Sequence, residues 1–200
     1  VGDRRPGDRF GRRRRVGRTI SSGGTQPARP DLQRILDGLV TGRDRIAPGA
    51  TAYVSGPHGT WVGSAGISNV ETRAPMRPDA RMRLESVSKT TSWTLGLGPG
   101  GGIVSDAADE ARFLTALMRG RLIGPRELAE LKEPSASYPN YGLGTGVNAT
   151  GCAGIAYGHN GGGDGFETNV YVAGDGSRVA VLLLNGRTAD DHGDDIAFKR

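Results

Sequence analysis

The stretch RMRLESVSKTTSW, residues 81–93, places Lys89 three residues after Ser86, where the pattern reads as the start of a helix. Residues three apart on a helix share a face, so the amine can reach the hydroxyl and take its proton. That would turn an alcohol into a nucleophile for acyl transfer. The residue type stands out here. Of 26 basic residues only three are lysines: Lys89, Lys132 and Lys199. Arginine stays protonated at any working pH and cannot act as a base, whereas a lysine withdrawn from water can. Serine occurs 12 times in the 200 residues, so the spacing alone leaves a plain alternative open, a solvated lysine beside a capping serine. Ser88, the other hydroxyl nearby, adjoins Lys89 in sequence and faces elsewhere.

Other reactive side chains are sparse. Cys152 is the only cysteine, so no intramolecular disulfide and no thiolate metal cluster is expected; a small buried hydrophobe is its common fate. His58, His159 and His192 show no H-x-x-x-H spacing, and metal catalysis is not expected. Residues 96–101, GLGPGG, match G-x-G-x-x-G, but a dinucleotide loop opens directly into a helix, and Pro99 interrupts this one. GHNGGGDGF, residues 158–166, has no following Lys-Ser/Thr and is no phosphate loop; its glycines suit close approach of another backbone or a ligand.

These residues need a scaffold, and the length suggests one domain with a tail. Residues 1–30 hold nine Arg and two Asp, a net of +7, while the whole chain is +5, leaving about −2 for the rest. The basic balance therefore belongs to the tail. Residues 1–29 mix Gly, Pro, Ser and Arg without apolar period and are expected to be disordered. The Arg12–Arg15 cluster lacks an aromatic platform or nucleic-acid module, so no nucleic-acid partner is expected. The tail has no apolar signal-peptide region, and the longest apolar run, VAVLLL at 179–184, suits a buried strand and cannot span a bilayer.

From residue 30 the chain reads as a body. Asp31 is expected to cap a short helix whose apolar face is Leu32, Ile35, Leu36 and Leu39, stopped by Gly42. Residues 49–68 read as two strands joined by a Gly-Pro-His-Gly turn, with His58 solvated at the turn. Ser105 is expected to cap a helix with Ala107, Ala111, Leu114 and Met118 on one face, and Pro125 opens another. YGLGTGV, GIAYGHNGG, FETNVYVAG and SRVAVLLLNG read as consecutive strands, the last two joined at Asp175-Gly176. The pattern predicts an α+β fold, an antiparallel sheet covered by helices.

The collinear blocks IAPGATAYV, GTWVGSAGISN, MRPDARMRLESVSKT, GGGIVSDAADEARFLTALMRGRLI, YGLGTGV and YGHNGGGDGFETNVYVAGDGSRVAVLLLN resemble the penicillin-recognising serine hydrolases. The likeness covers about residues 31–187 and is greatest to the D-alanyl-D-alanine carboxypeptidase and class C β-lactamase branch. It implies an acyl-enzyme mechanism on a β-lactam, an acyl-D-Ala-D-Ala peptide or an ester. Carried over, Ser86 is the nucleophile and Lys89 its base. His159-Asn160-Gly161 is the third motif, and the N–H groups of Ser86 and Gly162 form the oxyanion hole. No cofactor is implied. Members are usually exported, but nothing in these residues assigns a compartment or an oligomeric state.

The chain departs from that pattern in two places. Members carry a helical lobe with a Tyr-x-Asn motif between the Ser-Lys helix and the GGIVS segment, and here only TTSWTLGLGP lies between. The expected domain is thus residues 30–200 with an internal deletion near 93–100. Tyr138-Pro139-Asn140 spells Tyr-x-Asn but abuts the YGLG strand, so it reads as a turn, with a relay role for Tyr138 as the minor alternative. Between Tyr141 and His159 there is no Lys or Arg to clamp a substrate carboxylate. Two expectations stand: a serine hydrolase of this type with weak intrinsic activity, or a non-catalytic remnant of the family.

Overall fold

The computed structural model describes residues 28–43, 45–90, 102–150, 154–163 and 165–186. The tail to residue 27, the 91–101 connection expected to carry the deletion, and Cys152 and His192 lie outside the described residues.

Helix α1, Pro30–Val40, precedes the hairpin β1, Gly49–Gly56, and β2, Gly59–Gly66. A small ribbon pairs β3, Met82–Arg83, with β4, Val104–Ser105. Helices α2, Ala107–Met118, and α3, Pro125–Lys132, follow. The chain then runs through β5, Gly146–Ala149, β6, Ile155–Gly163, β7, Phe166–Ala173, and β8, Val179–Asn185. Six strands form one antiparallel sheet in the order β2-β1-β8-β7-β6-β5. The first hairpin reaches the last strand because β1 pairs with β8, Gly49 opposite Asn185 through Ser55 opposite Val179.

Strand alternation divides the side chains between two faces. Ala50, Ala52, Leu182 and Leu184 bury one face beneath α1, where Leu36, Leu39 and Val40 meet them. Val170, Val172, Val181 and Leu183 bury the other beneath Ala107, Ala111, Leu114 and Leu117 of α2, joined by Leu84 and Val87. The central strands are covered on both sides, which explains their nearly continuous apolar runs.

Local expectations needed correction at three positions. Asp31 does not cap α1: Arg29 holds the cap position without a side-chain bond, and Asp31 pairs with its guanidinium at 2.8 Å. Ile35 is exposed, because α1 leans on the sheet through Leu36, Leu39 and Val40. The cap of α2 is Asp106, not Ser105: its carboxylate accepts from the Asp109 N–H at 2.9 Å, the reach an N-cap side chain needs. Among the described residues no helix is long and apolar enough to cross a membrane.

Candidate active site

Ser86 sits in a 3-10 turn, Glu85–Val87, that continues as helix through Thr90. Three anchors fix this turn. Leu84 N–H donates to the Ile103 carbonyl at 2.9 Å, and the Thr168 hydroxyl of β7 donates to the Arg83 carbonyl at 3.2 Å. Beyond it, the Thr90 hydroxyl donates to the Gly144 carbonyl at 2.6 Å, tying the helical end to the loop before β5. The ammonium of Lys89 donates to Ser86 Oγ at 2.9 Å, and both residues are half-buried. Ser88 is fully buried, so it offers no accessible hydroxyl.

Glu85 holds a left-handed backbone, φ 48°, directly before Ser86. For a residue with a side chain this costs ~1–3 kcal/mol, so the surroundings must enforce it. Its carboxylate is wedged between Arg83, whose Nε lies 3.2 Å from Oε1, and the backbone of Gly163.

The turn lies against the free half of β6. Strand β5 pairs only with residues 155–158, so His159 to Gly163 have β7 on one side and, among the described residues, no partner strand on the other. Alternation sets His159, Gly161 and Gly163 on one face, and that face meets the turn. A Cβ on Gly161 would fall 2.5 Å from the Leu84 carbonyl oxygen and 2.7 Å from the Ser86 nitrogen. Only glycine fits there, the close approach that its glycine-rich sequence suggested. Gly162, the next residue, is exposed. Asn160 stands on the opposite face, across from Asn169 of β7, away from the Ser86 turn.

His159 is held at both nitrogens. Nδ1 bonds to the Asn160 carbonyl oxygen, which accepts only from an N–H, so the proton sits on Nδ1. Nε2 is then an acceptor, and the Tyr141 hydroxyl donates to it at 2.8 Å, the two rings meeting edge to face. Burial pushes the imidazole below its ordinary value; the Asn160 carbonyl opposes this, and the positive charge of nearby Lys89 adds to it. Burial pushes the Tyr141 phenol up. The result is a neutral histidine with an un-ionised tyrosine beside it near neutral pH.

Ser86, Lys89, His159 and Gly161 are thus gathered at one edge, with Gly162 adjoining. Tyr138 is not part of this group: it is 69% exposed on a turn from Ser135 to Tyr141. The tyrosine that reaches the histidine is Tyr141, which sequence reading assigned only to a strand. No local signal marks it, since its position depends on the loop anchored by Thr90 and on Gly142 packing against the Leu131 carbonyl.

Comparison with solved structures gives the same architecture. A D-stereospecific amidohydrolase from Streptomyces sp. superposes with a TM-score of 0.65 at 15% identity, over 80% of this chain and 94% of that one. A D-amino acid amidase from Ochrobactrum anthropi SV3 gives 0.65 at 14%, over 78% and 91%. The octameric penicillin-binding protein homologue from Pyrococcus abyssi gives 0.64 at 9%, over 78% and 73%. Identities this low establish the fold. Lineage comes from a family model, Beta-lactamase, that matches residues 91–200, more than half the chain and beginning just after Lys89. The chain belongs to the Beta-lactamase family, within the penicillin-recognising serine hydrolases.

Proposed function

We propose that the chain is a serine hydrolase that works through an acyl-enzyme on Ser86. The observation that carries this reading is the 2.9 Å hydrogen bond from Lys89 to Ser86 Oγ, formed where the Ser86 N–H packs against Gly161 of β6. In the forward step Ser86 Oγ bonds to the substrate carbonyl carbon while its proton passes to the Lys89 nitrogen, once that nitrogen has released to solvent the proton it donates in the resting 2.9 Å bond. The carbonyl oxygen takes the negative charge, stabilised by the N–H groups of Ser86 and Gly162; such donors are worth ~3–4 kcal/mol each. Collapse breaks the bond to the leaving nitrogen or oxygen, which receives the proton. Water then repeats the sequence in reverse to free the acid and Ser86.

His159 acts here as a neutral wall of the site, not as the base. Both of its nitrogens are engaged, and burial keeps it uncharged. The substrate class is an amide or ester without a free carboxylate beside the scissile bond, because residues 141–159 hold no Lys or Arg to receive one. The names of two structural neighbours, a D-stereospecific amidohydrolase and a D-amino acid amidase, support the amide half of that class. D-alanyl-D-alanine carboxypeptidase or β-lactamase turnover, whose substrates do carry such a carboxylate, is the other form a hydrolase of this family takes.

One observation favours a second reading, a non-catalytic family member. Only eleven residues, 91–101, connect Thr90 to Gly102, where the family resemblance implies a helical lobe with a relay tyrosine. A D-amino acid amide, a chromogenic cephalosporin and an acyl-D-Ala-D-Ala peptide distinguish the two. Slow turnover of any one, abolished by Ser86→Ala, supports the hydrolase; turnover of none, with no acyl adduct, supports the remnant.

A further inference from the structure

A cavity of about 380 Å³ opens on the α2 face of the sheet, between the end of that helix, β1 and the β7–β8 hairpin. It is separate from the Ser86 edge. The strand row through Gly161 crosses the sheet at Thr168, Leu183 and Thr51, whereas the cavity begins at Tyr53 and Ser55, three strands from β6 and nearer the hairpin.

Among the described residues, three guanidinium groups line it, from Arg112, Arg119 and Arg121, and no carboxylate does. Arg112 is already paired with Asp109. Among the described residues, Arg119 and Arg121 form no ion pair and no side-chain hydrogen bond, and the hydroxyls of Tyr53 and Thr115 are equally unengaged. The Asp175 carboxylate on the hairpin lies outside the lining and accepts from both the N–H and the hydroxyl of Ser177.

The backbone carrying the two free arginines is built rather than loose. Gly120, at φ 65°, ends α2 with its N–H on the Leu117 carbonyl at 2.9 Å, and Arg121 N–H bonds the Ala116 carbonyl at 3.0 Å. That pair of bonds is a Schellman cap, which fixes the residues on either side of the glycine. Gly176 of the hairpin, φ 68°, packs against the Arg119 stem, where a Cβ would lie 2.9 Å from Cγ. A favourable interaction with the helix dipole accounts for cations at this end, but not for the free hydroxyls of Tyr53 from the sheet and Thr115 from the helix.

We propose that this cavity binds a phosphate-type dianion. Two guanidinium forks with free hydroxyls arriving from the sheet and the helix match a tetrahedral acceptor with three oxygens better than a planar carboxylate with two. The ligand is either free phosphate or a phosphate monoester, and the cavity is roomy enough for an organic group.

Isothermal titration of the full chain with inorganic phosphate and with phenyl phosphate, at ionic strength held constant with chloride, tests this. Saturable one-to-one binding is expected, weakened about tenfold or more by the double change Arg119→Gln with Arg121→Gln. The control pair Arg34→Gln with Arg126→Gln removes the same charge elsewhere and is expected to leave binding intact. Tighter binding of phenyl phosphate assigns the site to a monoester, equal affinity to free phosphate. Absence of saturation, or equal weakening by the control pair, overturns the proposal. Should the double variant fail to fold, Tyr53→Phe and Thr115→Val each remove one hydroxyl and are expected to weaken binding severalfold; no change in either overturns it. None of these readouts depends on hydrolase activity.

Discussion

The Tyr141 hydroxyl donates to His159 Nε2 at 2.8 Å, across a gap of 18 residues that the β5–β6 hairpin closes. Removing that hydroxyl leaves a half-buried ring nitrogen without its donor. Tyr141→Phe is expected to lower stability by about 1 kcal/mol, and to slow acylation of Ser86 roughly ten- to hundredfold as the imidazole loses its orientation. Chemical denaturation and labelling kinetics measure the two effects. An unchanged labelling rate would leave Tyr141 a packing residue only.

Lys89 and His159 are close enough that the ammonium charge disfavours the imidazolium. Replacing the lysine removes that repulsion, so Lys89→Met is expected to move the His159 titration upward, toward its ordinary value of 6.5. Imidazole proton NMR across pH 4–8 reads this directly. A downward shift, or none, contradicts the adjacency of the two groups.

Gly161 has no room for a methyl group between the Leu84 carbonyl and the Ser86 N–H. Gly161→Ala is expected to destabilise the fold by ~1–3 kcal/mol and to push the turn off β6, with loss of acylation. Gly154, with open space around it but φ 81°, is a control for backbone strain without a clash. Full labelling in Gly161→Ala would show that the turn does not depend on this contact.

Glu110 of α2 is buried at 3% exposure, and one of its carboxylate oxygens has no hydrogen-bond partner. Burial raises its pKa from 4.5 to about 7. Between those values the folded chain holds a proton that the unfolded chain has lost, so stability falls as pH rises from 4.5 through 7. The loss reaches on the order of 3 kcal/mol above pH 7. Glu110→Gln is expected to flatten this slope and to stabilise the protein at pH 8. Unfolding midpoints at pH 5 and pH 8 measure it, and an unaltered slope counts against the account.

Much of the scaffold was legible in residue order because period and turn chemistry are local. The alternation in 155–185 and the breaks at Gly174 to Ser177 locate β6, β7 and β8, and the Ala107-Ala111-Leu114-Met118 face of α2 is buried as its spacing suggests. The glycines of β6 announced a close approach without saying to what; the Ser86 turn is the answer. Features set by tertiary packing were not legible. The left-handed Glu85 sits where its carboxylate meets Arg83 and Gly163, and Tyr141 is delivered by a loop held from Thr90. The cap of α2 slipped by one residue because Ser105 and Asp106 are both able to cap, and only the geometry of the Asp109 N–H selects between them.

The central claim is that Lys89 makes Ser86 a nucleophile. Intact-mass and peptide-mapping spectrometry after exposure to a fluorophosphonate and to a fluorescent penicillin test it most directly. The predicted result is one adduct per chain on Ser86, absent in Ser86→Ala and slowed at least tenfold in Lys89→Met. An adduct on any other residue, or none under conditions that label a known serine hydrolase, contradicts it.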